Sequence, residues 1–217
     1  MKPSDLKQLE RIFYPGWLMA SQLRSGQEVR DGESLYRRAC RLVGDARSAL
    51  TEAGYSEASC DQMLYALCAL LDESVLNRGA ADDGYLAWRR DPLQAHFFGT
   101  LNAGEELWER IRHILKESAP DMAVLCCLYR TLQLGFVGQY RAQDDQRRED
   151  VIRLLGQRVP PFTLAQDAPI VVSASRLHGG RRLYWCSWIA GVVALAALWF
   201  FLSSSLTEMV NQIIRPG

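Results

Sequence analysis

The sequence predicts an all-α protein of about seven to eight helices with a single membrane-spanning helix near its C-terminus. Two observations carry that reading: apolar residues recur at helical spacing as far as about residue 158, and one late stretch bears no charge at all. That stretch is Leu183-Tyr184-Trp185-Cys186-Ser187-Trp188-Ile189-Ala190-Gly191-Val192-Val193-Ala194-Leu195-Ala196-Ala197-Leu198-Trp199-Phe200-Phe201-Leu202. A helix needs about 20 apolar residues to cross the roughly 30 Å hydrocarbon core of a bilayer. Trp185 and Trp188 near one end and Trp199 near the other suit the two interfacial aromatic belts. A central helix of a soluble core would usually be shorter and carry polar residues. Residues 183–203 are therefore read as a membrane anchor.

The flanks set its orientation. Arg176, Arg181 and Arg182 precede the span and only Arg215 follows it, so the N-terminal part is expected in the cytoplasm. Residues 204–217 then form a short periplasmic tail. The apolar run starts too late for a signal peptide. The topology expected is that of a tail-anchored protein.

Lys plus Arg and Asp plus Glu balance at 25 each in 217 residues, so no global field draws the chain to nucleic acid. Apolar residues make up 48%, a globular composition. About 160 residues remain outside the anchor and its flanks, enough for one real core. The cysteines at 40, 60, 68, 126, 127 and 186 include no C-x-x-C pair and are expected as small apolar thiols, not a disulfide framework.

Taken in order, Met1 to Ser25 reads as a helix interrupted at Pro15-Gly16, because proline breaks the hydrogen-bond ladder. A second helix runs from about Glu33 to Ala53, with Leu35, Ala39, Leu42, Val43, Ala46 and Leu50 at helical spacing and Gly54 as its stop. The third opens on the capping-box spacing of Ser59-x-x-Gln62 and continues through Met63 to Leu71, apolar on every side. A helix hydrophobic all round is surrounded by other helices. Tyr85, Leu86 and Trp88 begin a short helix, and Pro92-Leu93 opens another. A helix with Leu107, Trp108, Ile111, Ile114 and Leu115 as its stripe runs to about Ser118. Pro120 then sits where a first-turn proline is tolerated, before an apolar helix from Met122 to Leu134. Gly135-Phe136-Val137-Gly138 reads as a tight junction anchored by the ring. Asp144 to Arg158 is a charged, peripheral helix with Val151, Ile152, Leu154 and Leu155 turned inward. Pro160-Pro161 excludes further helix, and residues 159–182 read as a linker.

Asp72-Glu73 interrupts the most apolar helix. With Leu64, Cys68, Leu71 and Val75 centred on one face, a turn of roughly 100° per residue puts Asp72 at that face's edge and Glu73 nearly opposite. Two carboxylates that diverge cannot share one scissile bond. Accepting hydrogen bonds from a neighbouring helix N-terminus, or pairing with an arginine, is the expected use. The chain has no phosphate-binding loop, dinucleotide fingerprint or nucleophile elbow, and its three histidines are scattered. No enzyme activity, cofactor or metal is expected.

The stretch Tyr65-Ala66-Leu67-Cys68-Ala69-Leu70-Leu71-Asp72-Glu73 resembles the core signature of the DotU/IcmH-like (TssL) proteins of type VI secretion systems. Trp88, Pro92-Leu93, Phe97, Gly104-Glu105, Leu128-Tyr129, Leu132 and Leu134-Gly135-Phe136-Val137-Gly138-Gln139-Tyr140-Arg141 follow in the family's order. Val137 and Gln139 depart from it, standing at positions often filled by more polar or charged residues, and the peptidoglycan-binding domain of longer members does not follow the anchor. The resemblance implies a non-enzymatic inner-membrane subunit whose cytoplasmic part, residues 1–158, is two packed helical bundles with a cleft between them. It implies as partners the IcmF-like protein TssM, the lipoprotein TssJ indirectly, the baseplate proteins TssK and TssE, and a second copy of the chain. Asp72 and Glu73 are the implied partner-binding residues, with Asp72 mainly structural and Glu73 the contact. Ala190, Gly191, Ala194 and Ala197 supply small residues for dimerisation through the anchor. The competing readings are a tail-anchored regulator that binds a partner helix in a groove and a membrane-anchored hydrolase, the latter without any nucleophile or metal pattern to support it.

Overall fold

The computed structural model describes residues 3–140 and 145–160, which contain eight helices and no strand. They are α1 (Pro3–Arg24), α2 (Gly32–Glu52), α3 (Glu57–Leu76), α4 (Asp83–Arg90), α5 (Leu93–Phe98), α6 (Ala103–Lys116), α7 (Met122–Gln133) and α8 (Gln146–Arg158). The segments read as linker beyond Pro160, as anchor (183–203) and as periplasmic tail (204–217) lie outside the described residues. So do Ala190, Gly191, Ala194 and Ala197. No described helix is long and apolar enough to cross a membrane.

Helix α3 is the axis of the fold. Every residue from Met63 to Val75 is buried, and α1, α2, α4, α5, α6 and α7 all pack against it. Only α8 stands off, resting on α7. The all-round apolarity of the sequence therefore has the expected cause, and among the described residues the hydrophobic core is one continuous cluster. The helix begins earlier than the capping-box spacing suggests. Ser56 is the N-cap and its hydroxyl accepts the Ser59 N–H at 3.1 Å, so Ser59 is the third helical residue. The Ser59 hydroxyl instead donates to Asp121 Oδ2 at 2.6 Å. Asp121 is itself the N-cap of α7, so this one bond ties two helix starts together. Pro120 precedes that cap and lies outside the first turn of the helix.

Helix α1 runs unbroken through Pro15, against the interruption expected there. Packing outweighs the missing backbone hydrogen bond. Leu9, Phe13, Trp17 and Ala20 are buried along one face, while Pro15 is exposed on the other. Gly16 is where α1 presses on α3: a Cβ there would lie 2.7 Å from a Leu67 methyl. The Pro-Gly pair thus marks a close helix crossing, with proline on the solvent side. Helix α8 also differs in detail from its apolar pattern. Leu155 is buried and Val151 and Ile152 are half-buried, but Leu154 is 48% exposed and Arg148 turns inward at 4%.

Replacing Pro15 with alanine restores an N–H donor to the Arg11 carbonyl on an exposed face, without touching the core. An interior helical proline costs about 3 kcal/mol relative to alanine. P15A is therefore expected to stabilise the fold by about 1–3 kcal/mol, read by urea unfolding through the buried tryptophans. A destabilised variant would show that the helix bends at Pro15 for a packing reason.

Candidate functional site

The site lies at the C-terminal end of α3, where Asp72 and Glu73 leave the helix in different directions. Both are buried, at 5% and 8% exposure. The divergence expected from helical geometry holds, but the expectation that Glu73 points to solvent does not. The 135–140 loop covers the side that a lone helix would leave open.

Asp72 faces the α4–α5 junction. Its Oδ1 accepts from the Trp88 indole N–H at 3.0 Å and from the Leu93 N–H at 2.9 Å, and its Oδ2 accepts from the Gln94 N–H at 3.0 Å. Helix α5 has only Pro92 at its N-cap and no capping side chain of its own. Asp72, about twenty residues back in sequence, performs that service and also meets the positive end of the helix dipole. Burial pushes its carboxyl up to about 7, against the pull of the three N–H donors and with the nearby Asp91 adding to the rise.

Glu73 faces the loop after α7. Its Oε1 accepts from the Val137 N–H at 2.9 Å, and its Oε2 accepts from the Gly138 N–H at 2.7 Å. The Arg24 guanidinium, at the end of α1, reaches Oε1 at 3.3 Å. The same arginine donates to the Gly135 carbonyl and to the Ser74 hydroxyl. Arg148 donates to the Phe136 carbonyl at 3.0 Å and to the Leu132 carbonyl at 2.6 Å. The Trp108 indole closes the set on the Val137 carbonyl at 2.9 Å. A loop with no regular ladder must satisfy its backbone elsewhere, and here four side chains from α1, α3, α6 and α8 do so.

Two glycines let the loop fit. Gly138 has φ +60°, and a Cβ on it would lie 2.5 Å from the Gly104 carbonyl oxygen and 2.8 Å from the Phe136 ring. Gln139 then donates to that same carbonyl at 2.8 Å, locking the loop onto the start of α6. Phe136 is 1% exposed, so the junction anchored by a ring is as the sequence suggests. Arg24, Arg148 and Trp108 were not singled out by sequence. Arg148 lies in a mixed-charge run that reads as solvated, and the buried backbone carbonyls that hold it leave no mark in local sequence.

Beside Glu73 opens a polar groove of about 720 Å³, bounded by Arg24, Ser74, Asn77, Arg78 and Asp82 and by the loop at Gln27–Glu28. Asp82 knits its far wall: it accepts from the Val29 and Tyr85 N–H groups and pairs with Arg78. Burial alone would raise the Asp82 carboxyl, but those donors hold it below its ordinary value. Among the described residues no group of His, Cys, Asp and Glu is placed to hold a metal ion. Burial pushes the Cys68 and Cys127 thiols well up and Cys126 to about 11, as suits cysteines used for packing.

Residues 8–205 match the family described as Type VI secretion system protein DotU. The chain belongs to that family. Among solved structures, this DotU-family chain is similar to the type VI secretion protein SciP/TssL of enteroaggregative Escherichia coli 042, with 70% identity and a TM-score of 0.65 over 78% of this chain and 98% of that one. The cytoplasmic domain of TssL from Acinetobacter baumannii is 21% identical, with a TM-score of 0.64 over 69% of this chain and 94% of that one. DotU from Francisella novicida is 20% identical, with a TM-score of 0.59 over 72% and 99%. At those identities the last two show the fold alone. Among curated proteins none matches the sequence.

The two carboxylates differ in what their removal does. Asp72 holds a proton in the folded protein between about pH 4 and 7 that the unfolded chain releases, so its contribution to stability is present below pH 4 and is lost as pH rises through about 7. Wild type is expected to lose stability relative to D72N from pH 5 to pH 8 in urea unfolding; a difference that stays constant over that range would mean that the N–H donors keep the carboxylate ionised. E73Q puts an amide among converging donors and leaves Arg24 without its carboxylate. That is expected to cost about 2–4 kcal/mol at pH 8.

Proposed function

We propose that this DotU-family chain is a structural inner-membrane component of the type VI secretion machine. In this reading its helical unit faces the cytoplasm and the 183–203 segment anchors it, with the C-terminus in the periplasm. It links the IcmF-like protein TssM, and through it TssJ, to the baseplate proteins TssK and TssE. The family match reaches residue 205, so the apolar segment belongs to what the family shares. The relative named as a cytoplasmic domain shares the fold that the described residues adopt. Self-association through Ala190, Gly191, Ala194 and Ala197 is part of the proposal.

The observation that carries the docking role is the position of Glu73 at the edge of the polar groove. A buried carboxylate there fixes the 135–138 loop on one side and Arg24 on the other. Glu73 therefore acts on a partner by holding the surface it meets, Asp72 supports it from behind by holding the α4–α5 junction, and the exposed rim residues Glu28 and Asn77 make the contact. The two bundles of the proposed architecture would meet at α3, against which α1, α2, α4, α5, α6 and α7 all pack. A tail-anchored regulator that holds a partner helix is less well supported, because the groove is lined by charged and polar groups where a helix-binding groove is apolar.

Rim and buried residues give different outcomes in one experiment. In membranes containing the full chain, E28R together with N77R is expected to cut co-purification of the baseplate proteins at least tenfold, with unchanged thermal unfolding and unchanged recovery of TssM. Baseplate recovery equal to wild type in that variant would remove the groove as the docking surface.

A further inference from the structure

We propose that the exposed face of α2 is a basic surface that lies on the anionic lipid headgroups of the membrane to which the chain is tethered; this rests on the anchor reading above. Helix α2 buries Ala39, Val43, Ala46 and Leu50 and turns Arg37, Arg38 and Arg41 to solvent on the opposite side. None of the three arginines has an ion pair or hydrogen-bonded carboxylate among the described residues. The acidic residues around them are accounted for or set apart. Glu33 is taken by Arg90 from the end of α4, and Asp91 is turned to the Tyr36 hydroxyl and the His96 ring. Asp45 is exposed one turn beyond Arg41 on the same face and offsets one of these charges, and Glu52 is exposed at the C-terminal end of the helix. Arg89, also exposed and without an ion pair among the described residues, adds positive charge beyond the seam where α4 packs on α2. With Arg37, Arg38, Arg41 and Arg89 set against Asp45, the local excess is three positive charges on a chain whose formal net charge is zero.

The chemistry of this face fits a lipid surface better than a protein pocket. Among Arg37, Arg38 and Arg41 there is no exposed large apolar side chain, whereas protein interfaces are built around a buried apolar or aromatic centre. Headgroup attraction needs no such centre. Each net positive charge brought to an anionic surface strengthens association by about fivefold, so three give about a hundredfold. That is too little to recruit a free protein firmly, but it orients one already held at the membrane. Lying down on α2 would fix which side of the unit, and hence which direction of the polar groove, looks into the cytoplasm.

The test uses the full chain in nanodiscs of phosphatidylcholine alone or with phosphatidylglycerol, carrying a fluorescent amino acid at position 44. Gly44 is exposed on the same helix, and a Cβ there meets nothing within 4 Å. Spin-labelled headgroup lipids should quench this probe at least threefold more in the phosphatidylglycerol discs, and salt should abolish the difference. R37E/R38E/R41E should lose it, and R37Q/R38Q/R41Q should reduce it; circular dichroism confirms that both variants are helical. Equal quenching in the two lipids, or an undiminished difference in the glutamate variant, overturns the proposal and leaves the stripe to an acidic protein partner. A chain that does not enter discs overturns the anchor reading and this proposal with it, whereas one that enters and shows no lipid dependence overturns this proposal alone.

Discussion

The Glu73 carboxylate, closed on two backbone N–H groups and one guanidinium, is the interaction on which the rest of the site depends. A charge this far from water is tolerated only when its hydrogen bonds are complete, and here the three donors come from two separate parts of the chain. In return the carboxylate fixes a loop that has no ladder of its own. The same logic runs in the other direction from Asp72, which supplies a cap that α5 lacks. One helix therefore organises two irregular segments from adjacent positions. That is possible because successive helical side chains point about 100° apart.

This arrangement also explains why polar residues interrupt the most buried helix. Were α3 apolar to its end, the N-terminus of α5 and the 135–138 loop would each bury donors without acceptors, at about 1–3 kcal/mol apiece. The acidic pair removes both penalties and leaves Arg24 poised at the edge of a polar groove. The rigidity of that edge suits a docking surface, since a partner that meets a prearranged wall has less to order on binding. Membership of the type VI secretion family agrees with that proposed use.

Much of this was legible in the sequence, and the part that was not has a common cause. The helices were readable because their apolar residues recur with the helical period, and α3 declared itself by being apolar on all sides. The divergence of Asp72 and Glu73 followed from helical geometry, and the two structural uses expected for them, a helix N-terminus and an arginine, are the ones found. What sequence could not show was which elements arrive from afar. Glu73 looked exposed because the loop that covers it lies more than sixty residues downstream. Pro15 looked like a break because the crossing of α1 on α3 at Gly16 is a tertiary fact. Arg148 looked solvated because the carbonyls that hold it belong to α7 and the following loop.

The central claim is that α3 holds two separate segments through two separate carboxylates, and amide hydrogen exchange reads it most directly. In E73Q the account predicts faster exchange at Val137 and Gly138 with Leu93 and Gln94 unchanged, and in D72N the reverse. Loss of protection at all four amides in both variants would contradict it, because the pair would then be acting as one unit.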